Sequence, residues 1–211
     1  ILHTQSPICN GVVVWAPKRM ELYTNPPAYD PDPLPWMDNL AIHESRHVSQ
    51  MQSGHRGAHK IIGHIVGEMW QGGGKGYQNM VAVTLGTGVG GGIIVNGKIL
   101  AGATGAGGEI GHIHIEDNET DVCGCQNRGC LEQYASATGV VRLANRRLAK
   151  DDKASSLREL ETVTAKDVWD AVKAGDEVAI EIAEQFGAIL GKGLAVVASV
   201  VNPEIFVIGG G

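Results

Sequence analysis

Six residues between positions 109 and 132 could do chemistry together: Glu109, His112, Cys123, Cys125, Cys130 and Glu132. They read as E-x-x-H, a short polar loop, then C-x-C-x(4)-C-x-E. One imidazole and three thiolates are four soft or borderline donors, the set that closes a tetrahedral structural zinc site. Glu109 and Glu132 are then spare. Ionised carboxylates only accept hydrogen bonds, and accept them strongly, so two of them beside a rigid metal knot suit a ligand rich in hydroxyl groups. The plainer alternative is a zinc-stapled turn whose acids are solvated.

Upstream, Gly86-Thr87-Gly88-Val89-Gly90-Gly91-Gly92 follows the apolar run Asn79 to Leu85 and precedes Ile93 to Val95. Strand, glycine turn and strand form a hairpin whose backbone amides can approach an anion with no Cβ in the way, and phosphate is the obvious anion. A plain turn reads the same way.

A third candidate lies near the N-terminus. His43, Glu44 and His47 make H-E-x-x-H in a stretch with Asp38 as a candidate N-cap, so both imidazoles share one helix face with the glutamate beside them. In zinc peptidases such a pair holds the metal, and the glutamate serves as base toward its water. Glu68 stands about where a third ligand is expected. The alternative is an amphipathic helix with surface histidines. Five prolines between Pro26 and Pro35 make the preceding stretch loop-like.

Other elements must position these groups. Leu131 to Lys150 has helical periodicity and ends in Arg146, Arg147 and Lys150, cations that read as a solvated face compensating the helix dipole. Thr164 and Asp167 form a capping-box start to a helix through Val172. Asp176 to Val201 reads as a long apolar helix, with Gly187, Gly191 and Gly193 marking close packing. Pro203 stops it, and Glu204 to Ile208 returns as a buried strand that delivers Gly209 to Gly211. Helix, strand and glycine turn follow one another in α/β nucleotide folds, where ligands sit beyond strand carboxyl ends.

A chain of 211 residues, 43% of them hydrophobic, can bury a core. A net charge of −6 without a basic run argues against nucleic acid as partner. No apolar run is read as membrane-spanning, and no secretory signal pattern opens the chain. Three of the four cysteines fall in the knot and Cys9 is alone, which fits a reducing cytoplasm rather than a disulfide framework.

Taken together, GEMWQGGGKGY, TLGTGVGGGIIVNGKILAGATGAGGEIGHI, CGCQNRGCLEQYASATG and VNPEIFVIGGG resemble the ROK family of repressors and sugar kinases over residues 67–211, incomplete at both ends. The resemblance, closest to glucokinases and N-acetylmannosamine kinases, implies an incomplete actin-like ATPase (ribonuclease H-like) α/β fold with a zinc knot. It implies ATP phosphates on Gly86, Thr87, Gly88, Gly90 and Gly91, with Gly209 and Gly210 near the adenosine. It further implies a hexose on Glu109, His112 and Glu132, structural zinc on His112, Cys123, Cys125 and Cys130, Mg²⁺ with the ATP, and a homodimer. Residues 1–66 resemble instead a fragment of a gluzincin-like HExxH protein of bacterial envelopes, a loop-rich and helical segment, with a seam near Gly67. The family's catalytic aspartate falls on Lys60, whose ammonium cannot act as general base at neutral pH unless strongly desolvated. Glucokinase-like phosphorylation, weak or lost in this chain, is the leading expectation. The alternatives are a metallopeptidase-like fragment using His43, Glu44, His47 and Glu68, or a non-catalytic module binding zinc and sugar.

Overall fold

The computed structural model describes residues 72–103 and 106–210, together with the strands Leu2–His3 and Val12–Trp15. Six strands form one sheet in the order β1-β2-β6-β3-β4-β5: β1 (Leu2–His3), β2 (Val12–Trp15), β3 (Met80–Leu85), β4 (Val89–Val95), β5 (Lys98–Ile99) and β6 (Ile205–Gly210). β3 and β6 run parallel, with Met80 opposite Ile205 and Leu85 opposite Gly210. β4 turns back antiparallel to β3, and β2 lies parallel to β6 on its other side. β1 and β2 come from a stretch read as loop-rich and helical, although Val12-Val13-Val14-Trp15 is a β-branched and aromatic run of the kind strands favour.

β3 and β6 alternate β-branched and apolar residues, and both of their faces are buried. Val81, Val83, Phe206 and Ile208 face one core with Ile110, Leu131, Leu190 and Val197. Met80, Ala82, Ile205 and Val207 face another with Ile94. Central strands covered on both sides need near-continuous apolar runs, which is how these two segments read.

Four helices follow the knot: α1 (Glu132–Ala135), α2 (Ala137–Leu148), α3 (Ala165–Lys173) and α4 (Glu177–Val201). The single helix expected from Leu131 to Lys150 is broken at Ser136. That residue is extended and caps α2 by accepting from the Gly139 N–H. Such a cap gives an orphan amide of the first turn a partner. Thr164 and Asp167 complete the expected capping box on α3. Asp176 caps α4, and Asn202 ends it in the left-handed conformation ahead of Pro203. A third core, from Tyr134, Val140, Leu143, Leu157, Val168, Val178 and Ile182, joins the helices to one another.

α4 departs from expectation twice. Of its three glycines only Gly193 is closely packed, since a Cβ there would meet Leu131 Cδ2 at 2.6 Å, whereas Gly187 and Gly191 face open space. At 25 residues and mean hydropathy 1.3, α4 is also long and apolar enough to cross a bilayer, contrary to the reading that no run reaches that length. In the fold it lays Leu190, Val197 and Ala198 on the sheet core and turns Val200, 80% exposed, outward.

Candidate metal knot and ligand cavity

The four expected zinc donors come from three places in the fold. His112 ends a short 3-10 turn, Ile110–His112, while Cys123 and Cys125 lie on the loop after it and Cys130 stands just before Leu131, the N-cap of α1. Glycines let that turn lie flat on β4. A Cβ on Gly91 would come 2.6 Å from Gly108 O, and one on Gly111 would strike the Val89 carbonyl. Two loop residues, Gln126 (φ 72°) and Gly129 (φ 71°), take the left-handed turns that fold the cysteine loop back.

Their ligand atoms converge: one from each of His112, Cys123, Cys125 and Cys130, all within 4.8 Å of one another. Cys123 Sγ is 3.7 Å from His112 Nδ1, and Cys125 Sγ is 3.5 Å from Cys130 Sγ. A tetrahedron with zinc–sulfur bonds of ~2.3 Å has edges of ~3.8 Å, so the donor set fits a zinc ion in both chemistry and spacing. Without the ion, burial pushes the Cys123 thiol up to about 12 and raises Cys130 as well, whereas the Asn127 backbone N–H lowers Cys125. A protonated Cys123 donates to Glu132 Oε1 at 3.0 Å.

Glu132 joins the knot to the glycine turn. Its Oε1 lies 3.6 Å from His112 Nδ1, and a Cβ on Gly88 would meet its Oε2 at 2.7 Å. Between them opens a cavity of about 520 Å³ lined by Thr87, Gly88, Cys123, Glu132, Gln133 and Arg142, among others. Glu109, three residues before His112, is exposed at the start of the 3-10 turn.

The glycine turn is shorter than expected. β4 begins at Val89, so Gly90 and Gly91 sit inside the sheet opposite Thr84 and Val83, and only Gly86, Thr87 and Gly88 form the turn. The turn rests on the N-terminus of α2: the Ala137 N–H donates to Gly86 O, and Thr138 Oγ1 donates to Thr87 O at 2.7 Å. Gly209 and Gly210, expected in a loop, close β6 opposite Thr84 and Leu85. Gly210 (φ 133°) lies so close to the Leu85 carbonyl that a Cβ would collide with it. Because β3 and β6 are parallel, both glycine segments end at the same carboxyl edge of the sheet, where ligands of open α/β sheets gather. Lys60, His43, Glu44, His47 and Glu68 lie outside the described residues.

Sequence reasoning missed the groups behind the knot. Glu119 is buried and ion-paired to Arg142 and Arg146, and Arg147 pairs with Glu181 at 2.6 Å. The cations expected on a solvated face therefore include two that hold acids; only Lys150 of the three keeps an exposed position with no such pairing. The i, i+4 spacing of Arg142 and Arg146 puts both on one helix face. Their acidic partner is 23 residues before Arg142, and no local pattern marks so distant a pair.

Fold and knot define an α/β domain of the actin-like ATPase type carrying a cysteine–histidine cluster with the spacing to hold a metal ion. Residues 58–211 match the ROK family, and the chain belongs to it. It is 44% identical over 149 residues to a glucokinase of Halalkalibacterium halodurans, covering 69% of this chain and 45% of that one. A xylose repressor of Caldicellulosiruptor bescii is 32% identical, covering 68% and 36%. Among solved structures, the ROK family glucokinase of Streptomyces griseus, in complex with glucose and AMPPNP, superposes with a TM-score of 0.63 at 38% identity, over 69% of this chain and 48% of that one. The chain thus spans about half the length of the curated glucokinases it matches.

Proposed function

We propose that the chain is part of a glucokinase-like ROK sugar kinase that binds a hexose and ATP and is built to pass a phosphoryl group to a sugar hydroxyl. The observation that carries this reading is the shared cavity, in which the glycine turn at Thr87 and Gly88 and the Glu132 carboxylate line one space. Similarity to a glucokinase in complex with glucose and AMPPNP supports it. In such a site Glu132 and Glu109 accept hydrogen bonds from the sugar hydroxyls, with His112 beside them. The amides of Thr87 and Gly88 approach the phosphates, next to the positive end of α2, while the Gly86 N–H closes the turn by donating to Gly88 O. Gly90, Gly91, Gly209 and Gly210 keep the surrounding strands close enough for a nucleotide to reach that edge. Mg²⁺ would neutralise phosphate charge during transfer. The zinc is structural: His112, Cys123, Cys125 and Cys130 fill its coordination and hold His112 and Glu132 in place.

Chemistry is the weak part of this chain. With Lys60 where a carboxylate base is needed, the sugar hydroxyl has no group to take its proton. Turnover of glucose with ATP in a coupled assay is expected to be low and to rise with Lys60→Asp, whereas calorimetry detects glucose binding that Glu109→Ala or Glu132→Gln weakens. Robust turnover that survives Glu109→Ala refutes the assignment.

The similarity to a xylose repressor favours a second reading, a module that binds zinc and sugar without catalysis. Glucose binding with no phosphoryl transfer, even in Lys60→Asp, selects it. Zinc content separates the H-E-x-x-H segment from both: one ion per chain, lost on mutating His112, belongs to the knot, and a second lost with His43 belongs to His43, His47 and Glu68, with Glu44 as base. The same family reading makes the protein a cytoplasmic homodimer. A seam near Gly67 rests instead on the resemblance of residues 1–66 to a gluzincin-like fragment, and the family match, which begins at residue 58, crosses it.

A further inference from the structure

Glu119 is the one buried acidic residue among the described residues, and it touches neither the knot sulfurs nor Glu132. Its Oε1 accepts from the Asp121 N–H at 2.8 Å and from Arg146 Nη2 at 2.9 Å. Its Oε2 accepts from Arg146 Nη1 at 3.1 Å and from the Tyr134 hydroxyl, and Arg142 Nη2 stands against it. Burial would push this carboxyl up, but Arg146, Tyr134, the Asp121 amide and Arg142 together outweigh it and hold the group well below the usual carboxylate range.

From there a chain of contacts reaches the knot. Arg142 Nε and Arg146 Nη2 hold Asp121 Oδ2 at 3.1 and 3.0 Å. Gln133 Nε2 donates to Asp121 O, and Gln133 Oε1 accepts the Cys130 N–H, each at 3.0 Å. On the loop that carries Cys123 and Cys125, Cys123 is buried but Val122 is 53% exposed. Displacement of a ligand arm opens a four-ligand knot to exchange. The arm bearing two sulfurs is tied to α2 through the contacts of Arg142 and Arg146 with Glu119 and Asp121.

Resting on the zinc reading above, we propose that Glu119, with Arg142 and Arg146, is a clamp that fastens the Cys123–Cys125 arm to α2 and sets how long the knot keeps its ion. Glu119 is a positioning residue in this scheme, acting through the loop. Groups outside the ligand shell commonly tune metal retention in this way.

The zinc-loaded full chain, mixed with excess chelating metallochromic dye, reports the rate of zinc release by absorbance. Glu119→Gln keeps the shape and removes the charge, and release is expected to be about tenfold faster or more. Arg146→Gln, which removes one half-exposed arm, should give a smaller acceleration. Glu181→Gln is the control for general loosening, because it breaks the Arg147 pair that ties α2 to α4. It should lower the melting temperature yet release zinc at the wild-type rate. Release from Glu119→Gln within about twofold of wild type, or equal acceleration by Glu181→Gln, overturns the clamp. Should Glu119→Gln fail to fold, Arg146→Gln decides alone, and a wild-type rate there overturns it. A wild-type chain that takes up no zinc removes the knot and the clamp together, whereas zinc held normally and released unchanged removes the clamp only.

Discussion

At Gly88 one missing carbon bears on both halves of the proposed site. In that reading the turn needs backbone that can approach an anion, and Glu132, proposed for the sugar, needs room, because its Oε2 stands 2.7 Å from where a Cβ would be. Gly88→Ala must push that carboxylate aside. Since the obstacle is the end of a side chain rather than backbone, the fold should tolerate the change with a loss within about 1 kcal/mol, while glucose affinity by calorimetry falls. A variant that binds glucose as tightly as the wild type would separate the turn from the sugar site. Glu132 itself was legible in the sequence from the C-x-E spacing. Its contact with Gly88 was not, because 43 residues and a strand crossing separate the two.

The helices can be tested at their glycines and caps. Gly193 packs against Leu131, so Gly193→Val overfills that contact and should cost about 1–3 kcal/mol in denaturant unfolding. Gly187, exposed on the same helix with open space around it, should gain roughly 0.5–1 kcal/mol from Gly187→Ala. The sequence shows three glycines of one helix and no difference between them; only the neighbours decide which is required. Asp176 carries the cap of α4. Burial opposes its charge, but the Ala179 and Ser156 amides and the Ser156 and Ser155 hydroxyls hold it down at about 2, against an ordinary 3.8. A depressed carboxyl stabilises the fold above its unfolded value and loses that contribution as the pH falls. Asp176→Asn should therefore melt lower than wild type at neutral pH, because an amide NH2 cannot accept from the Ser155 and Ser156 donors on Oδ2, and the gap should close between about pH 4 and pH 2.

For the molecule as a whole, the knot joins parts that the sheet alone would leave loosely connected. His112 ends the 3-10 turn packed on β4, Cys130 stands just before α1, and the loop between them is ion-paired through Glu119 to α2. Chelating the zinc should lower the melting temperature by several degrees and weaken glucose binding at the same time, since an ion bound only by the folded state stabilises it by an amount that grows with the logarithm of its affinity. Unchanged melting after complete zinc removal would make the knot ornamental to the fold. α4 presents Val196 and Val200 on its outer side. A homodimer, if formed, is measurable by light scattering, and a substitution of Val200 by Asp tests whether that face takes part.

The sequence by itself determined the strands β3 and β6, the capping box of α3, the end of α4 ahead of Pro203, and the residues of the knot. Each of these is written in local pattern: alternation, a capping box, a proline, or cysteines a few positions apart. Tertiary structure alone decided that the glycine run is mostly strand, that the helix after the knot breaks at Ser136, and that Glu119 finds two arginines. It also set Thr87, Gly88 and Glu132 around one cavity. Those outcomes depend on which distant backbone lies within a few ångströms, and such proximity leaves no periodic trace in the chain because it arises only when separate elements pack.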